Sequence, residues 1–384
     1  MNTMSNTNVL QKNEKFNVFK STAAKAIIIP ILAICIIFAF FTPFVISGST
    51  SVFSVIDNIQ PIPHRNLEIG KDAKGITTIT NDETNADFVI LQLSDLHLSC
   101  SYFTKSRDIQ TVQSLVKVVD NARPDLIVIT GDMVFPFIYR SYCTDNETQS
   151  RAFLSIFEKM TIPYAFVFGN HDAESLSKLN KKELSDYFSN PKLKYSLYKG
   201  GKDISGEGNY IIKLLNNNGT LSQALFFIDS SERDIQQDQI DWYKESIYSL
   251  NNEAGIAYGE AIPSVVFMHI PLYEYQLAID NDSEKILYGV CTESISTINP
   301  QCKFFEAVKE MRSTFAIFCG HDHRNTFGIL YQDVLLSFCP TLDYNAYLQF
   351  FEGEELMGGQ IITLKPQSDE IDILQIYLPD LENN

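Results

Sequence analysis

The sequence predicts an α/β protein built on a parallel sheet, with a second, partly antiparallel sheet beside it and one membrane-spanning helix in front. Three observations predict this. Short apolar runs alternate with amphipathic helical patterns between Phe88 and Phe168, which is the mark of βαβ units. Further apolar runs crowd the C-terminal half, with few helical patterns between the last of them. Ala26 to Ile46 carries no charged residue and is long enough to cross a bilayer. With 384 residues, 45% of them hydrophobic and 12% aromatic, the chain can bury a large core, which excludes a disordered protein and a disulfide-stapled mini-scaffold.

From the N-terminus, residues 1–25 read as a cytosolic tail and residues 26–46 as a transmembrane signal anchor. Lys12, Lys15, Lys20 and Lys25 precede the span against Glu14 alone, whereas the twenty residues after it hold only Asp57 and Arg65. The positive-inside rule then leaves the N-terminus cytosolic and the body lumenal or extracellular, as a single-pass membrane protein. A cleaved signal peptide would give the same side, but its apolar region should be shorter and end in a small-residue cleavage site. A buried soluble helix is the remaining reading. Asn146, Asn218 and Asn281 open Asn-x-Ser/Thr sites downstream of the span, so a glycoprotein is expected. Cys35 lies in the span, leaving six cysteines in a compartment that permits pairing. Cys291 and Cys302 flank a turn-rich stretch around Asn299-Pro300 and are expected to pair, with Cys100 and Cys143 as a second pair. Cys319 and Cys339 lie in apolar runs and read as buried packing.

Residues 47–86 are polar and mixed, with Pro61, Pro63, Gly70 and Gly75, and read as a stalk and lead-in. One domain follows, over residues 87–380. Its strands are expected at Phe88–Leu93, Leu126–Ile129, Tyr164–Phe168, Ala224–Ile228, Val265–Met268, Phe315–Cys319, Val334–Phe338, Gln360–Leu364 and Ile371–Leu378. Helices are expected around Val112 to Val119 and Phe153 to Met160.

The buried runs end abruptly in polar residues, which is where α/β folds place their sites. In chain order these are Ser94-Asp95-Leu96-His97, Thr130-Gly131-Asp132, Gly169-Asn170-His171-Asp172, Met268-His269 and Gly320-His321-Asp322-His323. Of six histidines, only His64 lies outside these clusters. Singly, each cluster has an ordinary structural reading as a helix cap, a turn or a packed imidazole. Five in order, each after a buried strand, point to a shared metal site. Carboxylate and imidazole suit hard to borderline divalent ions, and the absence of comparable cysteines argues against a thiolate zinc site. A metal pair can clamp both the attacking and the leaving oxygen of a phosphoryl displacement. Asp132, on the middle strand, is the natural bridging carboxylate. The net charge of −17, from 30 Lys+Arg against 47 Asp+Glu, argues against binding nucleic acid through its phosphates.

The order Asp-x-His, Gly-Asp, Gly-Asn-His-Asp, His and Gly-His-x-His resembles the calcineurin-like metallophosphoesterase superfamily. The stretches His269-Ile270-Pro271-Leu272-Tyr273-Glu274-Tyr275, Gly289 to Glu293 and Gly320 to Asn325 resemble its single-domain purple-acid-phosphatase-like branch. The resemblance implies a four-layer α/β/β/α sandwich of two mixed sheets. It also implies that Asp95, His97 and His323 hold one metal, that Asp132 bridges, and that Asn170, His269 and His321 complete the second. His171 would reach the substrate phosphate and help the leaving group, with Asp172 orienting its imidazole. Phe135 stands where the purple enzymes carry a ligand tyrosine, and His97 where they use glycine. No purple iron chromophore is therefore expected, and two divalent or mixed-valence ions, Mn, Zn or Fe, are the implied cofactors.

The reading that results is a membrane-anchored phosphomonoesterase in which a metal-bound hydroxide attacks a phosphate-ester substrate. A phosphodiesterase acting on nucleotides or lipid head groups is the alternative within enzymes. A non-catalytic scaffold of the same fold is the alternative outside them, and it would normally have lost a ligand. No obligate protein partner is inferred. Tyr273 and Tyr275 could stack on an aromatic substrate, although packing is the more ordinary role.

Overall fold

The computed structural model describes residues 22–81, 83, 86–257, 260–347 and 354–382. Two mixed sheets face each other. One has five strands in the order β14 (Ile371–Tyr377), β13 (Gly358–Leu364), β3 (Phe88–Leu93), β4 (Leu126–Thr130) and β5 (Tyr164–Val167). The other has nine, β1 (Glu68–Lys71), β2 (Thr77–Thr80), β6 (Tyr210–Leu215), β7 (Leu221–Phe227), β8 (Ser264–Phe267), β10 (Thr314–Cys319), β12 (Val334–Phe338), β11 (Gly328–Tyr331) and β9 (Ile286–Tyr288).

The continuous apolar runs become strands buried on both faces, as parallel strands covered on two sides require. β3, β4 and β5 are parallel neighbours, connected by α2 (Lys105–Ala122) and then by the short α3 (Ile138–Ser141) and α4 (Asn146–Met160). Their C-terminal ends therefore share one edge. Between the sheets lies a core of Ile90, Val128, Val167, Leu225 and their neighbours. Through it runs a file of stacked rings, Tyr210–Phe227–Phe267–Phe318, with centroids 4.4, 5.4 and 5.3 Å apart. A second core joins the five-stranded sheet to α2, α4 and α5 (Lys181–Phe188). A third joins the nine-stranded sheet to α6 (Gln237–Ala254), α7 (Tyr273–Asp282) and α8 (Phe304–Met311). These three cores separate four layers, helices outside and sheets within.

The second sheet is more parallel than its sequence suggested. β7, β8, β10 and β12 all run the same way, and α6 joins the first two. In α6 the apolar residues of the buried stripe are Ile240, Tyr243, Ile247 and Leu250, beside a buried Gln239, so its apolar signal is thin. β6 was also obscured, because its centre is the buried cation Lys213. Its side chain is 1% exposed, and the ammonium is neutralised by Asp72 at 2.5 Å and Glu253 at 2.6 Å.

The expected stalk is instead folded onto the body. α1 (Thr22–Ile56) continues through the predicted span to Ile56, and Val52, Ile56, Ile59 and Ile62 enter the core beneath α2 and α4. Arg151 lies over the Phe53 ring at 4.6 Å. β1 and β2 then extend the nine-stranded sheet. Strands of four residues are too short to show a period, which is why a polar reading prevailed. Of the predicted span, the side chains of residues 40–46 lie outside the described residues, as does the tail up to residue 21. Among the described residues no helix is long and apolar enough to cross a membrane. Those of the span that are described are exposed apolar groups, including Ile27, Ile31, Ile34 and Phe38.

Neither expected disulfide is present. All seven cysteines are free. Cys291 Sγ turns to the Glu293 carbonyl and Cys302 Sγ to the Ile235 carbonyl, so two distinct local contacts replace the bridge. Cys100 and Cys143 are both buried thiols. Asn146 is also unsuited to glycosylation, since its buried amide donates to the Asp172 and Leu179 carbonyls. Asn218 and Asn281 are exposed.

Candidate metal centre

All five strand-end clusters converge on one edge of the sandwich. The chain reaches it through unusual backbone: Asp95, His97, Asp132 and His321 have φ of 54°, 47°, 49° and 78°. Such left-handed conformations are uncommon outside glycine and cost about 1–3 kcal/mol each. The motif glycines allow the close approach. A Cβ on Gly131 would stand 2.5 Å from His269 Nδ1, and one on Gly320 would overlap the Ser94 hydroxyl.

Two groups of ligand atoms form, Asp95–His97–His323 and Asp132–His269–His321, each with its atoms within 4.8 Å of one another. Asp132 links them, with Oδ2 3.4 Å from His97 Nε2 and 3.2 Å from His269 Nε2. His323 Nε2 lies 3.4 Å from Asp95 Oδ1. Asn170 Oδ1 lies 3.1 Å from His269 Nε2. A third combination, His97–Asp132–His171, meets the same distance limit, so His171 is close enough to be weighed as a ligand.

Several of these atoms are buried without a hydrogen-bond partner: Asp95 Oδ1 and both His97 ring nitrogens. Orphaned buried polar atoms are rare and costly. A pair of divalent cations would satisfy them, and the carboxylate, imidazole and amide donors suit Mn, Zn or Fe. The buried charges also act strongly on one another. Burial raises Asp132, but His269 and His171 outweigh it and hold the carboxyl well below its usual range. Burial lowers His269, yet Asp132 lifts it to about 9. Burial and the charge on His269 push His321 down to about 3, leaving its imidazole neutral and ready to donate a lone pair.

The structure reassigns Asp172. Its carboxylate accepts from the Val134 and Gly169 backbone amides at 3.0 and 2.7 Å and so braces the two neighbouring loops, while burial and Asp132 raise it to about 7. Glu174 is the residue that holds His171, with Oε1 2.5 Å from Nδ1. The His171 backbone amide donates to Asp132 Oδ1 at 2.8 Å. Tyr275 is fully buried, its hydroxyl donating to the Ile317 carbonyl, and serves as packing.

Three contributors went unread in the sequence. Asp343 sets the orientation of the His323 imidazole, 3.1 Å from its Nδ1, and faces His97 Nδ1 from 3.8 Å, beyond hydrogen-bond distance. Such outer partners fix the tautomer and leave Nε2 for the metal. Asn345 donates to the His97 carbonyl and to Asp108, both at 2.9 Å. Both follow β12, a sixth buried strand ending in polar residues, so the signal that marked the other clusters was present there. Arg233 reaches to 3.5 Å from His321 Nε2, from a loop with no motif.

The calcineurin-like phosphoesterase family model matches residues 88–325. "Probable inactive purple acid phosphatase 28" of Arabidopsis thaliana is 28% identical over 298 residues, covering 68% of this chain and 71% of that protein. "Phosphatase DCR2" of Saccharomyces cerevisiae is 28% identical over 263 residues, or 62% of this chain and 44% of that protein. A solved dimetal phosphatase from Danio rerio aligns with a TM-score of 0.43 at 10% identity, over 76% of this chain and 99% of that one.

Proposed function

Because this chain belongs to the calcineurin-like phosphoesterase family, in its purple-acid-phosphatase-like branch, we propose that it is a membrane-anchored phosphatase that hydrolyses phosphomonoesters. The observation that carries the reading is the complete donor set: Asp95, His97, His323, Asp132, Asn170, His269 and His321 all meet at one edge, with His171 beside them. Some relatives are named inactive, but here no donor is missing. When bound, the metal pair supplies Lewis acidity toward the phosphoryl oxygens and activates water.

The chain's own residues then divide the remaining work. Asp132 sits between the two groups and balances their charge. Asp343, at His323 Nδ1, and the Thr130 carbonyl, which accepts from His269 Nδ1 at 2.7 Å, hold two imidazoles in place. Burial lowers His171, but Asp132 and Glu174 outweigh it and raise it, which favours the protonated form that can give a proton to the leaving oxygen. Arg233 would meet the charge on the phosphate. The anchor is residues 26–46, supported by their charge-free sequence and the lysines before them, with the N-terminus cytosolic and the body lumenal or extracellular. Asn218 and Asn281 would then be open to glycosylation.

Purified full-length protein with added Mn²⁺ or Zn²⁺ should release phosphate from a panel of phosphomonoesters and act more slowly on phosphodiesters. Faster cleavage of the diesters would favour the phosphodiesterase reading. Metal bound without any hydrolysis would leave a scaffold.

A further inference from the structure

An aromatic rim borders the metal centre and ends beside the predicted membrane span. Around His171 stand Phe135 and Phe137, with ring centroids at 5.2 and 6.3 Å. Phe137 meets Tyr139 at 5.5 Å. One short helix further, Tyr142 meets Phe103 at 5.1 Å, and Phe103 meets Tyr102 at 5.5 Å. The inner rings are packed, whereas the outer ones are exposed: Phe103 by 49%, Tyr139 by 77% and Tyr142 by 53%. Exposed aromatics grouped around one short helix in this way mark an interaction surface.

Its position says which one. α1 meets the body at Gly48, so tightly against the Ser101–Tyr102 backbone that a Cβ there would overlap it. The predicted span ends at residue 46, about 3 Å earlier along a helix axis. The loop carrying Tyr102 and Phe103 therefore lies where the span leaves the bilayer, the depth at which tyrosines collect in membrane proteins. The flanking charge fits as well. In a chain of net charge −17, Lys105 lies 4.5 Å from the centre of the Tyr102 ring, and Arg107 donates to the Phe103 carbonyl. Lys and Arg beside interfacial aromatics act as anchors at the membrane–water boundary, and their charge suits the phosphate of a lipid head group.

We propose that the rim of Tyr102, Phe103, Tyr139 and Tyr142 rests on the bilayer that holds α1, and that the metal centre takes phosphate monoesters carried by lipids of that bilayer. The inference rests on the anchored-phosphatase reading and adds the substrate class. Water attacks phosphorus, the bond to the lipid oxygen breaks, and that oxygen takes its proton from His171, leaving a lipid alcohol and inorganic phosphate.

The test uses the full chain in vesicles of phosphatidylcholine and phosphatidic acid. Phe103→Trp places a fluorophore in the rim, and Tyr248→Trp places one on the exposed face of α6, with the parent chain correcting for Trp242. Phosphatidylcholine brominated in its acyl chains should quench the added indole of Phe103→Trp and spare that of Tyr248→Trp. Phosphatidic acid should be hydrolysed, and Phe103→Ser with Tyr142→Ser should slow it about tenfold while p-nitrophenyl phosphate hydrolysis stays within about twofold. A rim indole left unquenched in a chain that resists alkaline carbonate extraction would overturn the docking. Release by carbonate would overturn docking and anchor together. Quenching with hydrolysis of p-nitrophenyl phosphate alone would overturn the lipid substrate. Quenching with neither ester hydrolysed would support the docking and sink the phosphatase.

Discussion

Replacing Glu174 with Gln removes one charge from the site and almost no volume. Its carboxylate meets His171 Nδ1 at 2.5 Å, which fixes the ring and leaves Nε2 to carry the proton toward the leaving oxygen. A hydrogen bond to a charged group contributes about 1.5–3 kcal/mol. Here the side chains are 32% and 23% exposed, so solvent screening favours the lower half, about 1.5–2 kcal/mol, or roughly 10–30-fold in kcat. The assay compares kcat for an alkyl phosphate and for p-nitrophenyl phosphate, with bound metal measured on the same samples. An alkoxide needs a proton to leave and a nitrophenolate does not. Glu174→Gln should therefore lose roughly 10–30-fold on the alkyl ester, stay within about threefold on the nitrophenyl ester, and retain its metals. Asp172→Asn should behave differently, because Asp172 braces the Val134 and Gly169 amides: both esters should slow alike. Equal loss on the two esters in Glu174→Gln, or a leaving-group-selective loss in Asp172→Asn, would refute this division of labour.

Asp343→Ala should weaken metal binding by about 10–100-fold, because His323 loses the partner on Nδ1 and His97 the negative charge that faces it; titration with Mn²⁺ or Zn²⁺ reads this, and unchanged affinity would contradict it. Lys213→Ala should lower unfolding stability by about 2–3 kcal/mol in urea denaturation, since Asp72 is left in a largely buried position while Glu253 regains water. Burial lifts Asp108 from 3.8 to about 6 against the hydrogen bonds it accepts. Its folded value is above its unfolded value, so it contributes stability that is complete below about pH 4 and lost as pH rises through about 6, on the order of 3 kcal/mol. Asp108→Asn should flatten that part of the stability profile, and an identical profile in the variant would contradict the assignment.

The site was legible because its chemistry is written at strand ends. A run such as Leu126-Ile127-Val128-Ile129 can only be a buried strand, and a Gly-Asp straight after it has little room to be anything but a turn at the sheet edge. What was lost is whatever depends on side-chain direction. Asp172 follows His171 directly, yet its carboxylate points into backbone amides, and Glu174, three residues on, comes back to the ring. Asp343 follows a buried strand as the other clusters do, but that it turns to His323, on another strand end, is something no local pattern records. β6 was hidden by Lys213, whose burial makes sense only once Asp72 and Glu253 arrive from other elements. The folding of 48–86 onto the body was hidden for a related reason: Val52 and Ile56 look like scattered apolar residues until α2 and α4 supply the surface they cover.

The central claim is that one shared carboxylate holds two metal ions at the edge of the sandwich. Metal content per chain, measured by inductively coupled plasma mass spectrometry alongside phosphatase rate, tests it most directly in the parent, Asp132→Ala and His171→Ala. The account predicts about two ions in the parent, loss of metal and activity together in Asp132→Ala, and about two ions with a rate lowered by roughly 10²–10⁴-fold in His171→Ala. A parent that binds no more than one ion, or an Asp132→Ala protein that keeps both, would contradict the shared site; a His171→Ala protein that loses metal as fully as Asp132→Ala would place His171 among the ligands.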